Sequence, residues 1–310
     1  MEGFADRLTR AVREKGNPVC IGLDPRFDLL PTRIRQLAVR THGSSARAVA
    51  TAFIEFNCAI LDAVADVVPV CKPQVAFYEE YGAEGVRAFE ETVRYAQHKG
   101  LLVISDAKRG DIGSTAEAYA QAHIGGGGEI SGRAFDADAV TVNPYLGRDS
   151  IEPFLRLSAE RGKGVLILVR TSNPGARDLQ DLDVRGRPLY ERVAEMVHDL
   201  GGTLGRSGLS NVGAVVGATY PDEARRLRQV MPNAPFLVPG YGFQGGTPTD
   251  AIAGFRADGT GAVVSSSRGA IYAFREEPYA SRHGEAGFAQ ATREVALQMA
   301  EDLNAALRRR

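Results

Sequence analysis

Eight short apolar runs recur along this chain, at 18–23, 67–71, 101–105, 139–142, 164–169, 212–216, 235–238 and 261–264. None alternates apolar with polar residues. That pattern marks strands buried on both faces, and such strands belong to parallel sheets covered by helices. The intervening segments carry helical periodicity. Ser44 and Ser45 precede a stretch at 46–65 in which Phe53, Phe56, Ile60 and Val64 fall near a 3.6-residue repeat. Similar patterns occupy 84–98, 188–200, 221–231 and 285–307, with 116–122 opened by Ser114-Thr115 and a segment ending at 160 opened by Asp149-Ser150. Strand and helix in strict succession predict a parallel α/β sheet, and eight such units predict closure into a (β/α)8 (TIM) barrel. The length of 310 residues suits one barrel domain over 1–310 with loop insertions. Three segments fall outside the repeat: a polar, Arg-rich insertion at 31–43, a Gly-rich one at 125–133, and a loop at 170–187 that is either a lid or a surface insertion.

Polar and turn-forming residues cluster after each run, on one side only. In a barrel this is the rim that carries chemistry. The densest cluster is Asp106-Ala107-Lys108-Arg109-Gly110-Asp111, a D-x-K-x-x-D pattern. With Asp24 after the first run and Lys72 after the second, it predicts an array of alternating charge at one mouth. Each lysine there stays cationic and each aspartate anionic, because opposite neighbours favour the charged forms. Such a set can meet an anion and deliver one proton; the alternative is a structural salt-bridge cluster. The last two runs lead into Pro239-Gly240-Tyr241-Gly242-Phe243-Gln244-Gly245-Gly246 and Ser265-Ser266-Ser267-Arg268-Gly269. Glycines let backbone N–H groups approach a phosphate closely, and Arg268 can grip it with two hydrogen bonds.

Composition narrows the classes of partner. Lys plus Arg number 37 against 38 Asp plus Glu, a net charge of −1, so no global basic field recruits nucleic acid or an anionic membrane. Cys20, Cys58 and Cys71 have no C-x-x-C spacing and read as buried free thiols. His42, His98, His123, His198 and His283 show no metal-binding spacing, so no metal is expected, and the sequence offers no plausible cofactor sink, so no cofactor is expected either. The N-terminus lacks the features of a signal peptide and no apolar run reaches membrane-spanning length, which predicts a cytoplasmic protein.

Over nearly its whole length the chain resembles the orotidine 5′-phosphate decarboxylase family, in particular its longer bacterial group. The resemblance is carried by Ile21-Gly22-Leu23-Asp24-Pro25, by Lys72-Pro73-Gln74-Val75-Ala76-Phe77-Tyr78-Glu79, and by the run from Asp106 to Thr115. Thr141-Val142-Asn143-Pro144-Tyr145-Leu146-Gly147, Thr171-Ser172-Asn173-Pro174-Gly175 and Ser267-Arg268-Gly269 add to it. It implies decarboxylation of orotidine 5′-phosphate to UMP in pyrimidine biosynthesis. Lys108 would be the proton donor to C6, Asp106 the carboxylate beside the substrate carboxylate, and Lys72 the lysine that orders the array and meets a ribose hydroxyl. Asp111 would reach into the site of a second subunit, which implies a homodimer with shared sites. Asp24 and, from the partner chain, Thr115 would meet ribose; Ser172 would contact the pyrimidine. Gln244 and Arg268, with Gly269 beside it, would hold the phosphate.

Two other classes share the barrel. Sugar-phosphate decarboxylases resembling 3-keto-gulonate-phosphate decarboxylase use the same D-x-K-x-x-D element with a divalent metal that stabilises an enediolate. A non-catalytic nucleotide-binding protein is the other. Lys72 and the Arg-Gly-Asp-Ile-Gly-Ser-Thr continuation favour the metal-free reading.

Overall fold

The computed structural model describes residues 2–126, 135–242 and 245–310. Its strands are β1 (Val19–Leu23), β2 (Val70–Pro73), β3 (Leu102–Arg109), β4 (Ala139–Val142), β5 (Gly164–Arg170), β6 (Val212–Val216), β7 (Phe236–Val238) and β8 (Ala262–Ser266). Every neighbouring pair is parallel, and β8 pairs with β1 to close the barrel. All eight apolar runs therefore form strands, but two boundaries move. Val67 and Val68 donate to the Val64 carbonyl and finish the preceding helix, so β2 starts only at Val70. β3 runs on to Arg109, which places Asp106 and Lys108 within a strand instead of in the loop after it.

Side chains alternate along each strand. Cys20, Val70, Ile104, Ala139, Leu166, Val215, Leu237 and Val263 point inward and fill the barrel. Phe4 and Leu8, from the helix Phe4–Lys15, close it from below. Gly164 makes room for that plug: a Cβ there would lie 2.3 Å from the Phe4 ring. The opposite parity, including Ile21, Cys71, Val103 and Ile167, packs under the helices in the larger core. The same period of two sets the mouth. One step above the inner layer come Gly22, Lys72, Asp106 and Thr141, and one step further Asp24 and Lys108.

Helices form where the periodicity placed them, with local differences. Ser45, not Ser44, caps Ala46–Val64, its hydroxyl accepting from the Ala48 N–H at 3.2 Å. Gly113–Ile124 starts ahead of Ser114-Thr115, and Arg148–Arg161 starts ahead of Asp149-Ser150, so neither pair is a cap. The insertion at 31–43 is the helix Thr32–His42, which buries only Ile34 and Ala38; so thin an apolar stripe leaves little periodic signal. The segment 285–307 is helical as Phe288–Arg308, after a separate short helix Tyr279–His283. Of the Gly-rich segment, 127–133 lies outside the described residues. Cys20 and Cys71 are buried as expected, whereas Cys58 is half-buried. No helix among the described residues is long and apolar enough to cross a membrane.

Candidate active site

Asp106 is the centre of the mouth. Its Oδ2 accepts from Lys72 Nζ at 2.7 Å and from Gln74 Nε2 at 3.0 Å. Its Oδ1 accepts from Lys108 Nζ at 2.6 Å and from the Thr141 hydroxyl at 2.9 Å. Burial pushes this carboxyl up, but two ammonium groups and their hydrogen bonds outweigh burial and hold it far below the usual carboxylate range. Lys72 answers symmetrically. Burial favours its neutral form, yet Asp106 and Asp24 override that and raise its pKa, so it stays an ammonium.

The two lysines differ in access. The Lys72 side chain is 6% exposed and the Lys108 side chain 42%. Lys72 is thus locked beneath the site, while Lys108 faces the cavity and can give up a proton to something bound there. Asp24 stands beside them with Oδ1 buried and, among the described residues, unpartnered. Burial raises its pKa, against the pull of Lys72 and a hydrogen bond from Ser267. An unpaired buried acceptor at a cavity wall suits a ligand hydroxyl. Gly22, below it, lets the last loop approach: a Cβ there would sit 1.8 Å from Ser267 Oγ.

Lys108 is held in an uncommon backbone conformation, with φ at +49°. The cause is a bulge. Ser105 pairs with Val140 and Arg109 with Val142, so β3 takes four steps where β4 takes two. Non-glycine residues in the left-handed region cluster at functional sites, where the surroundings over-determine them.

A cavity of about 550 Å³ opens above the array, lined among others by Asp24, Lys72, Asp106, Lys108, Ser172 and Arg268. The loop at 171–187 forms one wall and is ordered locally. Gln180 clasps Thr171 through both amide atoms, and the buried Arg170 ties the loop down. Arg170 Nη1 lies 2.6 Å from Asp181 Oδ1, and its Nε donates to Glu223 at 2.5 Å. The rings of Tyr220 and Tyr190 flank its guanidinium at 4.2 and 5.0 Å.

Three expected residues are not brought to this cavity. Asp111 lies past β3, its carboxylate accepting from the Ile112 N–H at 2.8 Å. Thr115 is exposed on the helix that follows, and Gly269 is exposed at the lip beside Arg268. The single-chain array is therefore Asp24, Lys72, Asp106 and Lys108, without Asp111. Gln244 lies outside the described residues. Among the described residues no group of three or more His, Cys, Asp or Glu side chains is placed to hold a metal ion.

Similarity to known proteins agrees with this geometry. The sequence profile of the orotidine 5′-phosphate decarboxylase / HUMPS family matches residues 17–273. The orotidine 5′-phosphate decarboxylase of Rhodopirellula baltica is 45% identical over 304 residues, spanning 98% of this chain and 99% of that protein. The chain belongs to the orotidine 5′-phosphate decarboxylase family. The enzyme of that name from Clostridium perfringens is 38% identical over 306 residues, 98% of this chain and 99% of its own length. A putative family member from Streptomyces avermitilis, solved by crystallography, superposes with a TM-score of 0.77 at 34% identity, covering 99% of this chain and 96% of its own. The Leishmania donovani OMP decarboxylase gives 0.74 at 32% identity, with 98% of each chain covered.

Sequence reasoning missed two members of the site, Gln74 and Thr141. The signal was present in strand parity: each lies an even number of steps above a barrel-filling residue, Val70 and Ala139. Neither carries a charge, so a search for charged strand ends passed over them.

Proposed function

We propose that this chain decarboxylates orotidine 5′-phosphate to UMP and CO2 in de novo pyrimidine biosynthesis, as a cytoplasmic homodimer and without a cofactor. The observation that carries this reading is the Lys72–Asp106–Lys108 array in a cavity that Arg268 also lines. Substrate would lie with its phosphate toward Arg268 and the glycine-rich loops, and with its carboxylate over Asp106. The C6–carboxylate bond breaks, CO2 leaves, and the electron pair stays on C6 in the ring plane, where no ring orbital delocalises it. Lys108 stabilises that charge as a preorganised ammonium and then transfers its proton to C6, giving UMP; solvent reprotonates the amine. Asp106, held anionic, opposes the substrate carboxylate and fixes the ammonium. Asp24 accepts from a ribose hydroxyl, and Ser172 contacts the pyrimidine. Phosphate binding, remote from C6, supports orientation and loop closure, so a substrate lacking phosphate loses kcat as well as affinity.

The donor set supports this reading over a metal-assisted one. Each Asp106 oxygen already takes two donors, two of the four being ammonium groups. A cation there would displace bonds and meet like charge. The proposed second subunit finds support in the exposed apolar side chains beside Asp111: Ile112 is 57% and Tyr145 74% exposed, on adjoining loops. Asp111 and Thr115 would then complete the partner's site.

The test follows the absorbance of orotidine 5′-phosphate on adding protein in EDTA. Turnover by wild type and none by Lys108→Ala is expected. A well-folded wild type that is inactive in EDTA but active with magnesium would overturn the metal-free reading. Mixing Lys108→Ala with Asp111→Ala protein tests the shared site: exchanged dimers should regain activity, and proven exchange without recovery would refute sharing.

A further inference from the structure

We propose that Thr141 is a positioning residue for the proton donor, its hydroxyl holding the strained β3 bulge so that the Lys108 ammonium stands over Asp106. This rests on the reading of Lys108 given above. Thr141 lies in β4, is fully buried, and does not line the cavity. Its hydroxyl accepts from the Lys108 backbone N–H at 2.9 Å and donates to Asp106 Oδ1 at 2.9 Å. One oxygen therefore couples the main chain of the donor to the carboxylate that grips the donor's side chain.

The location gives this coupling its leverage. Between the Ser105–Val140 and Arg109–Val142 pairs, β3 arches away from regular register, and Lys108 sits at the arch with φ at +49°. The Thr141 hydroxyl reaches the arch from the neighbouring strand. On the far side the Asn143 N–H bonds the Arg109 carbonyl at 2.8 Å, so the arch is pinned on both sides of Lys108. A valine at 141 has nearly the same shape and no hydroxyl. It would leave the Lys108 N–H and one Asp106 lone pair without this partner while filling the same space. The arch is then free to relax toward ordinary strand geometry, carrying Lys108 Nζ off the line to C6. Displacements of about 1 Å in a reacting group reduce rate by about 100-fold, and loss of supporting hydrogen bonds behind reactive groups by about 10- to 100-fold.

The experiment compares wild type, Thr141→Val and Thr141→Ser in orotidine 5′-phosphate turnover, with a crystal structure of Thr141→Val. The valine variant should lose about 10- to 100-fold in kcat with KM changed less than about 3-fold, and serine should restore kcat to within about 3-fold of wild type. In the valine structure the Lys108 φ should leave the left-handed region or Nζ should shift. Wild-type kcat in the valine variant would overturn the proposal. So would a loss in serine as large as that in valine, because the hydroxyl, which serine keeps, would then not be what holds the donor. If wild type itself proves inactive, the functional reading fails; the crystal structure still decides the positioning claim, which an undisturbed Lys108 would refute.

Discussion

Replacing each lysine of the array by methionine should separate scaffold from reagent. Lys72 and Asp106 approach to 2.7 Å with side chains 6% and 7% exposed. At an effective dielectric constant of about 20, the attraction at that distance is about 6 kcal/mol before desolvation is subtracted. Removing one partner of a buried pair costs about 3–5 kcal/mol, because the other charge is left in a poor solvent. Lys108 forms an ion pair of similar length, but its side chain is 42% exposed, so solvent screens it and the loss falls to about 0–1 kcal/mol. Equilibrium urea unfolding at pH 7 and fixed protein concentration, read by circular dichroism, should therefore show Lys72→Met destabilised by about 3–5 kcal/mol and Lys108→Met by less than about 1 kcal/mol. Turnover should be lost in Lys108→Met despite its intact fold. The depressed Asp106 pKa fixes the sign of the pH effect: the stability its ionised form contributes is present above the unfolded Asp value and is lost as pH falls through the folded one. Equal destabilisation by the two substitutions, or a larger effect at Lys108, would refute the assignment of Lys72 as the locked member.

Three further outcomes follow from the same geometry. Asp24 has a raised pKa and accepts from ribose most strongly when ionised, so kcat/KM should fall as pH drops through a value above the ordinary Asp range; Asp24→Asn should raise KM about 10-fold and abolish that acid limb, and an unchanged profile would contradict the role. His123, buried with Nδ1 2.8 Å from Ser105 Oγ, is held down to a pKa of about 3, chiefly by burial. Between about pH 6.5 and 3 the unfolded chain binds a proton that the folded one refuses, so stability should fall on acidification by up to about 1.4 kcal/mol per pH unit, a slope that His123→Phe should flatten. Cutting the Arg170 tether with Asp181→Asn should raise KM about 3- to 10-fold and speed tryptic cleavage within 171–187; protection equal to wild type would show that Asp181 does not hold the loop.

The barrel was legible because its physics is periodic. Runs such as 164–169 and 212–216 can be little other than strands covered on both faces, and the glycines and prolines after them mark one rim. The charged members of the site were legible for the same reason: Asp24, Lys72, Asp106 and Lys108 each come just after an apolar run, at the ends of strands that wrap one mouth. Strand parity, which aims Thr141 and Gln74 at Asp106, could be used only once β2 and β4 had fixed boundaries. The bulge at Lys108 was not legible, because it depends on the register between β3 and β4. The helix Thr32–His42 escaped because its stability comes from two buried residues in an otherwise polar sequence. The resemblance set Asp111 apart as a residue for a second subunit, whereas its charge spacing alone assigned it to the same mouth, to which the structure does not bring it.

The central claim is that Lys108 stabilises and protonates a carbanion at C6. By microscopic reversibility, an enzyme that does so must also remove the C6 proton of its product. The direct measurement is deuterium exchange at C6 of UMP in D2O with saturating enzyme, read by proton NMR. The account predicts exchange catalysed by wild type and none above background with Lys108→Ala. Exchange that persists in Lys108→Ala, or its absence in a wild type that turns over orotidine 5′-phosphate, would contradict it.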